Sequence, residues 1–226
     1  MAESSPLLFA GPSTYGLEPG VCPAADVQLL PPVRRGDVQR QVDAAEQPGV
    51  MLICDGAFQN VPAVSHSELC AALDAGWQVW GVSSIGAIRA HEMRDQGMRG
   101  FGEVFAMFSR FDDFTDDELC LLHFPEAPWF PVSEALVNVR HALDRRSREL
   151  GIDAAAAGRL VDELRALWFG DRTPERIRRL LIDAAGCNEH QADGLLSWLS
   201  AHRLKTLDLQ QLLVRRPWRV TDARTP

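Results

Sequence analysis

Up to about residue 130, short apolar runs alternate with stretches of helical periodicity. The apolar runs lie at 7–10, 26–30, 49–56 and 77–84. The third run, GVMLICDG, is almost entirely apolar, which is typical of a strand that is covered on both faces. Patterns with helical spacing begin near Gly36, Ser65 and Ile85. This alternation predicts an α/β fold with a Rossmann-like parallel sheet flanked by helices.

The pattern changes after about Pro131. The apolar stretches beyond this point have helical periodicity, and none of them is convincing as a strand. Thr173 and Pro174 form a typical helix start, with threonine as the N-cap and proline in the first turn. We therefore predict two parts: an α/β core over 1–130, and an all-helical C-terminal region over 131–226 that packs on the core.

The composition limits the classes of function. The chain has 226 residues and a formal net charge of −8, which argues against nucleic-acid binding. No apolar run approaches the roughly 20 residues of a membrane span. The five cysteines are widely spaced without a CxxC pair, which favours reduced thiols in the cytoplasm over a disulfide framework or a zinc site. The histidines lack metal-binding spacing, and neither a metal nor another cofactor is predicted.

Polar residues follow three of the predicted strands. Ser13 follows the first strand, Asp55 the third, and the pair Ser83-Ser84 the fourth. In an open parallel sheet, ligand sites form at the carboxyl ends of the strands. If these strands are neighbours, Ser13, Asp55 and Ser84 converge on one edge of the sheet.

The segment VWGVSSIGAIRAHEM, residues 79–93, indicates a strand that turns at two serines into a helix. Such a corner can expose a serine nucleophile, although the match to G-x-S-x-G is partial because position 82 is valine. The N–H groups of Ile85 and Gly86 at the helix start favour an anion or a developing oxyanion. The alternative is that Ser83 or Ser84 simply caps the helix.

Three side chains near the third strand are candidates for acid–base chemistry. His66 begins the helix after this strand, where it is either a general base near neutral pH or a structural residue. Asp55 either orients His66 or caps the loop that follows the strand. Glu68 lies in the first helical turn, where the helix dipole favours a carboxylate.

Charged residues near these predicted strand ends are candidates for substrate binding. Arg89 and Glu92 are three positions apart on a predicted helix, so they form either a surface ion pair or part of a ligand site. Arg34 and Arg35 lie in the loop after the second strand, which is either a solvated loop or an anion clamp.

Several of these stretches together resemble one protein family. The stretches GPS, PPVRRGD, SIGAIRAHEM and SEALVNVR, with the region around His66, are similar to the TfuA-like family over roughly 7–141. The residues that carry the resemblance are Gly11, Pro12, Ser13, Arg35, Gly36, Asp37, Asp55, Gly56, His66, Glu68, Ser84, Gly86, Ala87, Arg89, Glu92, Gly97 and Met98. Two positions depart from the family pattern: Ile85 replaces a usual methionine, and Cys54 replaces a usual aliphatic residue.

The resemblance implies a function that composition does not reveal. TfuA-like proteins accompany YcaO-type enzymes, which convert backbone amides of ribosomal peptides into thioamides. The resemblance implies that the TfuA-like partner helps to provide the sulfur. The implied sulfur source is a small ubiquitin-like (ThiS-like) carrier with a C-terminal thiocarboxylate, and the precursor peptide is a further partner.

We therefore predict a hydrolase-like sulfur-delivery protein that releases sulfide from the thiocarboxylated carrier. In this hypothesis Ser84 is the nucleophile and His66 its base. Asp55 or Glu68 orients the base. The predicted substrate-binding set comprises Ser13, Arg35, Glu68, Ile85, Gly86, Arg89 and Glu92. Within that set Arg89 binds the carboxylate-like end of the substrate, and the two helix-start N–H groups hold the oxyanion.

Two other classes of function compete with this hypothesis. In the first, the protein has no catalytic activity and docks on the YcaO-type enzyme, activates it or presents its substrate. In the second, the sheet edge binds a nucleotide or phosphate. The second ranks last, because the chain contains neither GxGxxG nor GxxxxGK[ST].

Overall fold

The computed structural model describes residues 5–57, 61–111 and 114–219. Within these ranges the chain forms a five-stranded sheet in the order β2-β1-β3-β4-β5, and all neighbouring strands are parallel. The strands are β1 (Leu7–Phe9), β2 (Gln28–Leu30), β3 (Val50–Ile53), β4 (Gln78–Val82) and β5 (Arg99–Phe101). The predicted α/β fold is therefore confirmed, and β5 is a strand that the sequence pattern did not predict.

Ten α-helices accompany the sheet within the described ranges. They are α1 (Val21–Ala25), α2 (Asp37–Ala44), α3 (His66–Asp74), α4 (Ile85–Glu92), α5 (Glu103–Arg110), α6 (Leu136–Arg146), α7 (Ala154–Ala166), α8 (Pro174–Asp183), α9 (Glu189–Ala201) and α10 (Leu204–Arg215). Two 3-10 helices, Pro12–Thr14 and Asp116–Leu119, border the candidate site. Across the part of the chain that the structure describes, none of the helices combines the length and the apolar character that crossing a membrane demands.

The sheet is covered on both faces. Side chains alternate along a strand, so Met51 and Ile53 of β3 join a core that contains buried residues of α2, α3 and α4, whereas Leu52 joins a different core. That second core includes Leu209 and Leu212 of α10. The last α-helix of the described chain therefore returns to the sheet and covers its second face.

Helices α6 to α9 enclose a core of their own. Buried ion pairs connect this part to the 3-10 helix Asp116–Leu119. Glu118 is fully buried and accepts hydrogen bonds from Arg140 of α6, at 2.7 and 2.8 Å, and from Arg165 of α7, at 3.0 Å. Arg172, also fully buried, donates to the backbone oxygen of Asp117 at 3.0 Å. These contacts fix the 3-10 helix in place; the division of the chain near residue 130 stays a prediction.

Two glycines allow α4 to begin directly on the sheet. A Cβ atom added to Gly81 would lie 1.9 Å from the carbonyl oxygen of Gly86, and one added to Gly86 would lie 1.7 Å from the carbonyl oxygen of Ile53. No side chain fits in either place. The close approach fixes the start of α4 above the carboxyl ends of β3 and β4.

Candidate functional site

The candidate site lies where the direction of the sheet connections reverses. The chain passes from β1 to β2 on one side and then crosses to β3 on the other, so β1 lies between them. In doubly wound sheets with this strand order, ligands bind beside the carboxyl ends of β1 and β3. The loop after β1, which contains Ser13, and Asp55, which follows β3, meet at this point.

Asp55 holds the loop that follows β1. One carboxylate oxygen, Oδ2, accepts the backbone N–H groups of Gly11 and Ser13, both at 2.9 Å, and Oδ1 accepts the Ser13 hydroxyl at 2.8 Å. Asp55 and Ser13 are each only 2% exposed. The structure thus brings Ser13 and Asp55 together as predicted, but among the described residues it records no hydrogen bond between Asp55 and His66.

Ser84 occupies the N-cap position of α4 and is 4% exposed. Its carbonyl oxygen accepts the N–H groups of Ala87 and Ile88, whereas its hydroxyl makes no capping bond. The neighbouring Ser83 has a left-handed backbone conformation (φ 63°) and donates its hydroxyl to the Lys205 carbonyl oxygen at 2.7 Å. Ser83 therefore has a structural role, and the Ser84 hydroxyl is without a hydrogen bond to any described residue.

The predicted oxyanion site requires free N–H groups on Ile85 and Gly86. The Gly86 N–H donates to the Cys54 carbonyl oxygen at 3.2 Å, because the absence of a side chain lets this glycine rest on the end of β3. This corrects the prediction for Gly86, whose N–H is already engaged. The Ile85 N–H stands at the first helical position, where no intrahelical acceptor exists.

His66, Arg89 and Glu92 form a second group of polar side chains, between α3 and α4. The Nε2 atom of His66 lies 2.9 Å from Oε2 of Glu92, and Nη1 of Arg89 donates to the same oxygen at 2.6 Å. The Nε atom of Arg89 donates to the Val64 carbonyl oxygen at 3.1 Å. The His66 side chain is 54% exposed and that of Glu92 39%. Glu92, which was predicted only as a binding residue, is thus the carboxylate that contacts His66.

Glu68 and Arg35 have different surroundings. Glu68 completes a capping box with Ser65 at the start of α3, and its Oε2 accepts the Gly36 N–H at 2.6 Å. It therefore fixes the loop before α2 and, among the described contacts, makes none to His66. The backbone N–H of Arg35 donates to the Pro62 carbonyl oxygen, and the residue is exposed beside that loop.

The predicted residues thus form two groups. The edge cluster consists of Ser13, Asp55 and Ser84 at the end of the sheet, and the helix cluster consists of His66, Arg89 and Glu92. Glu92 lies eight positions after Ser84 on α4, which corresponds to about 12 Å along the helix axis. No hydrogen bond joins His66 to Ser84 in the described part of the chain, so the predicted triad is not assembled.

A cavity of about 750 Å³ lies along α4, within the size range of ligand sites. Along α4 it extends from Ile85, next to Ser84, to Arg89 and Glu92. The opposite wall is built by Phe108, Phe111, Phe114, Thr115 and Asp116. The sequence pattern did not single out this wall, because α5 and the 3-10 helix reach α4 only through the tertiary fold.

Cys54, the residue before Asp55, is fully buried. Burial, and next the charge of Asp55, raise the pKa of the Cys54 thiol well above its usual value, although the hydroxyls of Ser13 and Ser83 act in the opposite direction. The thiol therefore stays protonated near neutral pH, which makes it a poor nucleophile. Among the described residues, no group of three or more histidine, cysteine, aspartate or glutamate side chains is arranged to hold a metal ion.

Fold and site together define an α/β protein with a parallel sheet, whose candidate site lies at the carboxyl edge and extends into a cavity along α4. The chain matches the family model described as TfuA-like protein over residues 55–173. Because the match spans more than half of the chain, the protein belongs to the TfuA-like family. This family is associated with YcaO systems that form thioamides. A search of curated proteins found no match.

Proposed function

We propose that the protein delivers sulfur to a YcaO-type enzyme during backbone thioamidation of a peptide. In this proposal it hydrolyses the C-terminal thiocarboxylate of a small ubiquitin-like (ThiS-like) carrier and releases sulfide in the cytoplasm. Two observations support the proposal: the family association, and the helix cluster, in which Arg89 and Glu92 line the cavity and Glu92 also contacts His66.

The reaction is a hydrolysis whose atoms balance without an oxidant or reductant. The thiocarboxylate R–COS⁻ and one water give the carboxylate R–COO⁻ and hydrogen sulfide. A C–S bond breaks and a C–O bond forms, and water supplies both the oxygen and the protons. The protein has to hold the anionic thiocarboxylate, activate the water and orient the two for attack.

The single observation that carries the proposal is the geometry of the helix cluster. Arg89 is held at Nε by the Val64 carbonyl oxygen and at Nη1 by Glu92. Its Nη2 group makes no hydrogen bond to a described residue, and the side chain lines the cavity. An oriented guanidinium with a free Nη2 group can donate to a carboxylate or thiocarboxylate.

The same cluster offers a general base. Glu92 contacts Nε2 of His66, which favours the tautomer in which Nδ1 is free to take a proton. Nδ1 makes no hydrogen bond to a described residue. We propose that His66 draws a proton from the attacking water while Arg89 holds the substrate anion. Glu92 thereby takes the orienting role that the sequence hypothesis gave to Asp55 or Glu68.

A covalent route gives the same net reaction. In it the Ser84 hydroxyl attacks the thiocarboxyl carbon, sulfide leaves, and water hydrolyses the resulting ester. The Ser84 hydroxyl, which has no hydrogen bond to a described residue, and the Ile85 N–H at the start of α4 support this route. We rank it second, since no base contacts Ser84 in the described part of the chain.

A second candidate function is a non-catalytic partner that docks on the YcaO-type enzyme or presents its precursor peptide. The observation that favours it is a group of exposed apolar side chains on one segment, Phe124, Phe130 and Val132. Exposed apolar groups of this kind often mark protein interfaces.

The test incubates the purified protein, without a YcaO-type enzyme, with the thiocarboxylated carrier and measures sulfide. Hydrolysis predicts catalytic release of sulfide, together with conversion of the carrier to its carboxylate form. A docking protein predicts no release by itself, but faster thioamidation by the YcaO-type enzyme when sulfide is supplied. Arg89→Ala is the matched variant, because it removes the proposed anion site and should abolish only the first activity.

A further inference from the structure

His91 is a polar residue of the cavity that the proposed hydrolysis does not use. It lies on α4 between Arg89 and Glu92 and lines the same cavity. Its Nδ1 atom is buried and has no hydrogen-bond partner among the described residues. A buried polar atom without a partner is unfavourable, and such atoms are uncommon in folded proteins. The described residues therefore leave this nitrogen without the partner that a buried polar atom requires.

Aromatic packing holds the His91 ring in place. The ring stacks on Phe108 with centroids 5.4 Å apart and an interplanar angle of 27°. Phe108 in turn packs edge-to-face on Phe114 at 4.8 Å. Because both phenylalanines line the cavity, the ring belongs to its wall. Nδ1 is buried in this conformation, so a ligand in the cavity reaches it only when the ring turns on Phe108.

The composition of the cavity indicates the chemistry of the ligand. Arg89 offers a cationic donor for an anionic end, and the His91 ring, once turned, offers Nδ1 to a neutral group two positions further along α4. Phe108, Phe111 and Phe114 cover the space opposite α4 with apolar surface. A volume of about 750 Å³ exceeds the needs of a lone carboxylate. A peptide C-terminus, with its terminal anion preceded by backbone amides, has these groups in this order.

We infer that the His91 ring forms a subsite for a backbone amide of a peptide segment whose terminal carboxylate or thiocarboxylate lies at Arg89. The identity of this segment as the carrier's C-terminus rests on the proposed function. Binding of the peptide does not depend on hydrolysis. His91 then determines specificity: it favours peptidyl acids over small acids that have no amide.

The test compares a peptidyl acid with a simple one. The probes are N-acetyl-pentaalanine with a free C-terminal carboxylate, its thiocarboxylate, acetate and thioacetate. His91→Phe keeps a ring on Phe108 but lacks Nδ1, and should weaken binding of the pentaalanine carboxylate about tenfold, as expected for one lost polar contact. Binding of acetate should not change. His190→Phe, at an exposed position of α9, is the matched control and should change neither.

Two amide variants locate the contact on the ring. The side-chain amide of His91→Asn lies near the position of Nδ1, and that of His91→Gln near Nε2. His91→Asn should therefore restore more of the peptide affinity than His91→Gln. In the wild type, the peptide should also shift the 15N resonance of His91 Nδ1. Equal loss of acetate and peptide binding, or an unshifted Nδ1 resonance with peptide bound, would overturn the inference.

The readouts separate this inference from the proposed function. If the wild type binds the peptide through His91 but hydrolyses neither thiocarboxylate, the subsite stands and the hydrolysis fails. If the wild type hydrolyses both thiocarboxylates and His91→Phe leaves their ratio unchanged, the hydrolysis stands and the subsite fails.

Discussion

The edge cluster and the helix cluster contain similar residue types in opposite environments. In the edge cluster, Ser13 and Asp55 are almost fully buried, and both Asp55 oxygens accept hydrogen bonds from the loop after β1. In the helix cluster, His66 and Glu92 are partly exposed, and Glu92 lines a cavity. Buried polar groups that satisfy one another stabilise a loop, whereas groups with unused hydrogen-bonding capacity beside a cavity are available to a ligand. From this comparison we propose that Ser13 and Asp55 stabilise the loop after β1, whereas the helix cluster carries the chemistry.

Loss of the His66 imidazole should have the largest effect on activity. His66→Ala should lower the rate of sulfide release by about 10²–10⁴-fold, the usual contribution of a general base. The free energy of unfolding should change little, because the ring is half exposed. Rates and urea unfolding of His66→Ala and of the control His190→Ala check both statements. If His66→Ala folds and releases sulfide at the wild-type rate, His66 is not the general base.

Loss of the Asp55 carboxylate should affect stability. Asp55→Ala leaves two buried N–H groups and the Ser13 hydroxyl without their acceptor, and should lower the free energy of unfolding by about 3 kcal/mol. Asp55→Asn should cost less, since its amide oxygen can accept the N–H groups while its NH₂ faces the hydroxyl. Chemical denaturation measures both. If Asp55→Asn folds normally but no longer releases sulfide, the edge cluster has a direct part in the chemistry.

A conservative replacement of Arg89 separates charge from geometry. Arg89→Lys keeps the charge but loses the planar fork that contacts both Val64 and Glu92. It should weaken binding of the thiocarboxylated carrier by about 2 kcal/mol, nearly as much as Arg89→Ala. Titration calorimetry with the carboxylate form of the carrier checks this without turnover. If Arg89→Lys binds the carrier with wild-type affinity, only the positive charge at position 89 matters and the guanidinium geometry does not.

The last of these predictions concerns stability alone and a carboxylate outside both clusters. Asp208 of α10 accepts the N–H groups of Glu103 and Val104 at 3.0 and 2.8 Å, and burial raises its pKa to about 7. Because this pKa lies above the unfolded value of about 3.9, the folded state binds more protons between these limits. The stability that Asp208 contributes is thus fully present below about pH 4 and is lost as the pH rises through 7.

The measurement for Asp208 is the free energy of unfolding from pH 4 to pH 8 for the wild type and Asp208→Asn. As the pH rises across this window, the free energy of unfolding of the wild type should fall relative to that of Asp208→Asn. A constant difference would show that Asp208 titrates at its ordinary pKa. The rate of sulfide release should not depend on the protonation of Asp208, because this residue lies outside both clusters.

Much of the fold follows from the sequence because its determinants are local. The nearly continuous apolar run around Leu52 predicts a strand buried on both faces, and Thr173 with Pro174 predicts the start of α8, where the Thr173 side chain accepts the Arg176 N–H. The strand Arg99–Phe101 escaped prediction because it has three residues, one of them glycine. Such a strand shows no periodicity of its own.

Only some of the contacts between the site residues could be predicted from the sequence. The carboxyl ends of parallel strands share one edge, so the meeting of Ser13 and Asp55 followed from the strand pattern. The partner of His66 did not, because its contact with Glu92 depends on how α3 packs beside α4. The place of His91 was also hidden, since its stacking partner Phe108 comes from α5. A histidine at that position gives no local signal of a cavity.

The most direct test of the central claim, that the helix cluster performs the chemistry, is a single-turnover assay of sulfide release from the thiocarboxylated carrier. Wild type, Ser84→Ala and His66→Ala are compared, and the peptide containing Ser84 is examined by mass spectrometry after acid quench. The account predicts that Ser84→Ala still releases sulfide, that His66→Ala is slowed by about 10²–10⁴-fold, and that Ser84 carries no acyl group. A folded Ser84→Ala protein without activity, together with a carrier acyl group on Ser84 of the wild type, would contradict it.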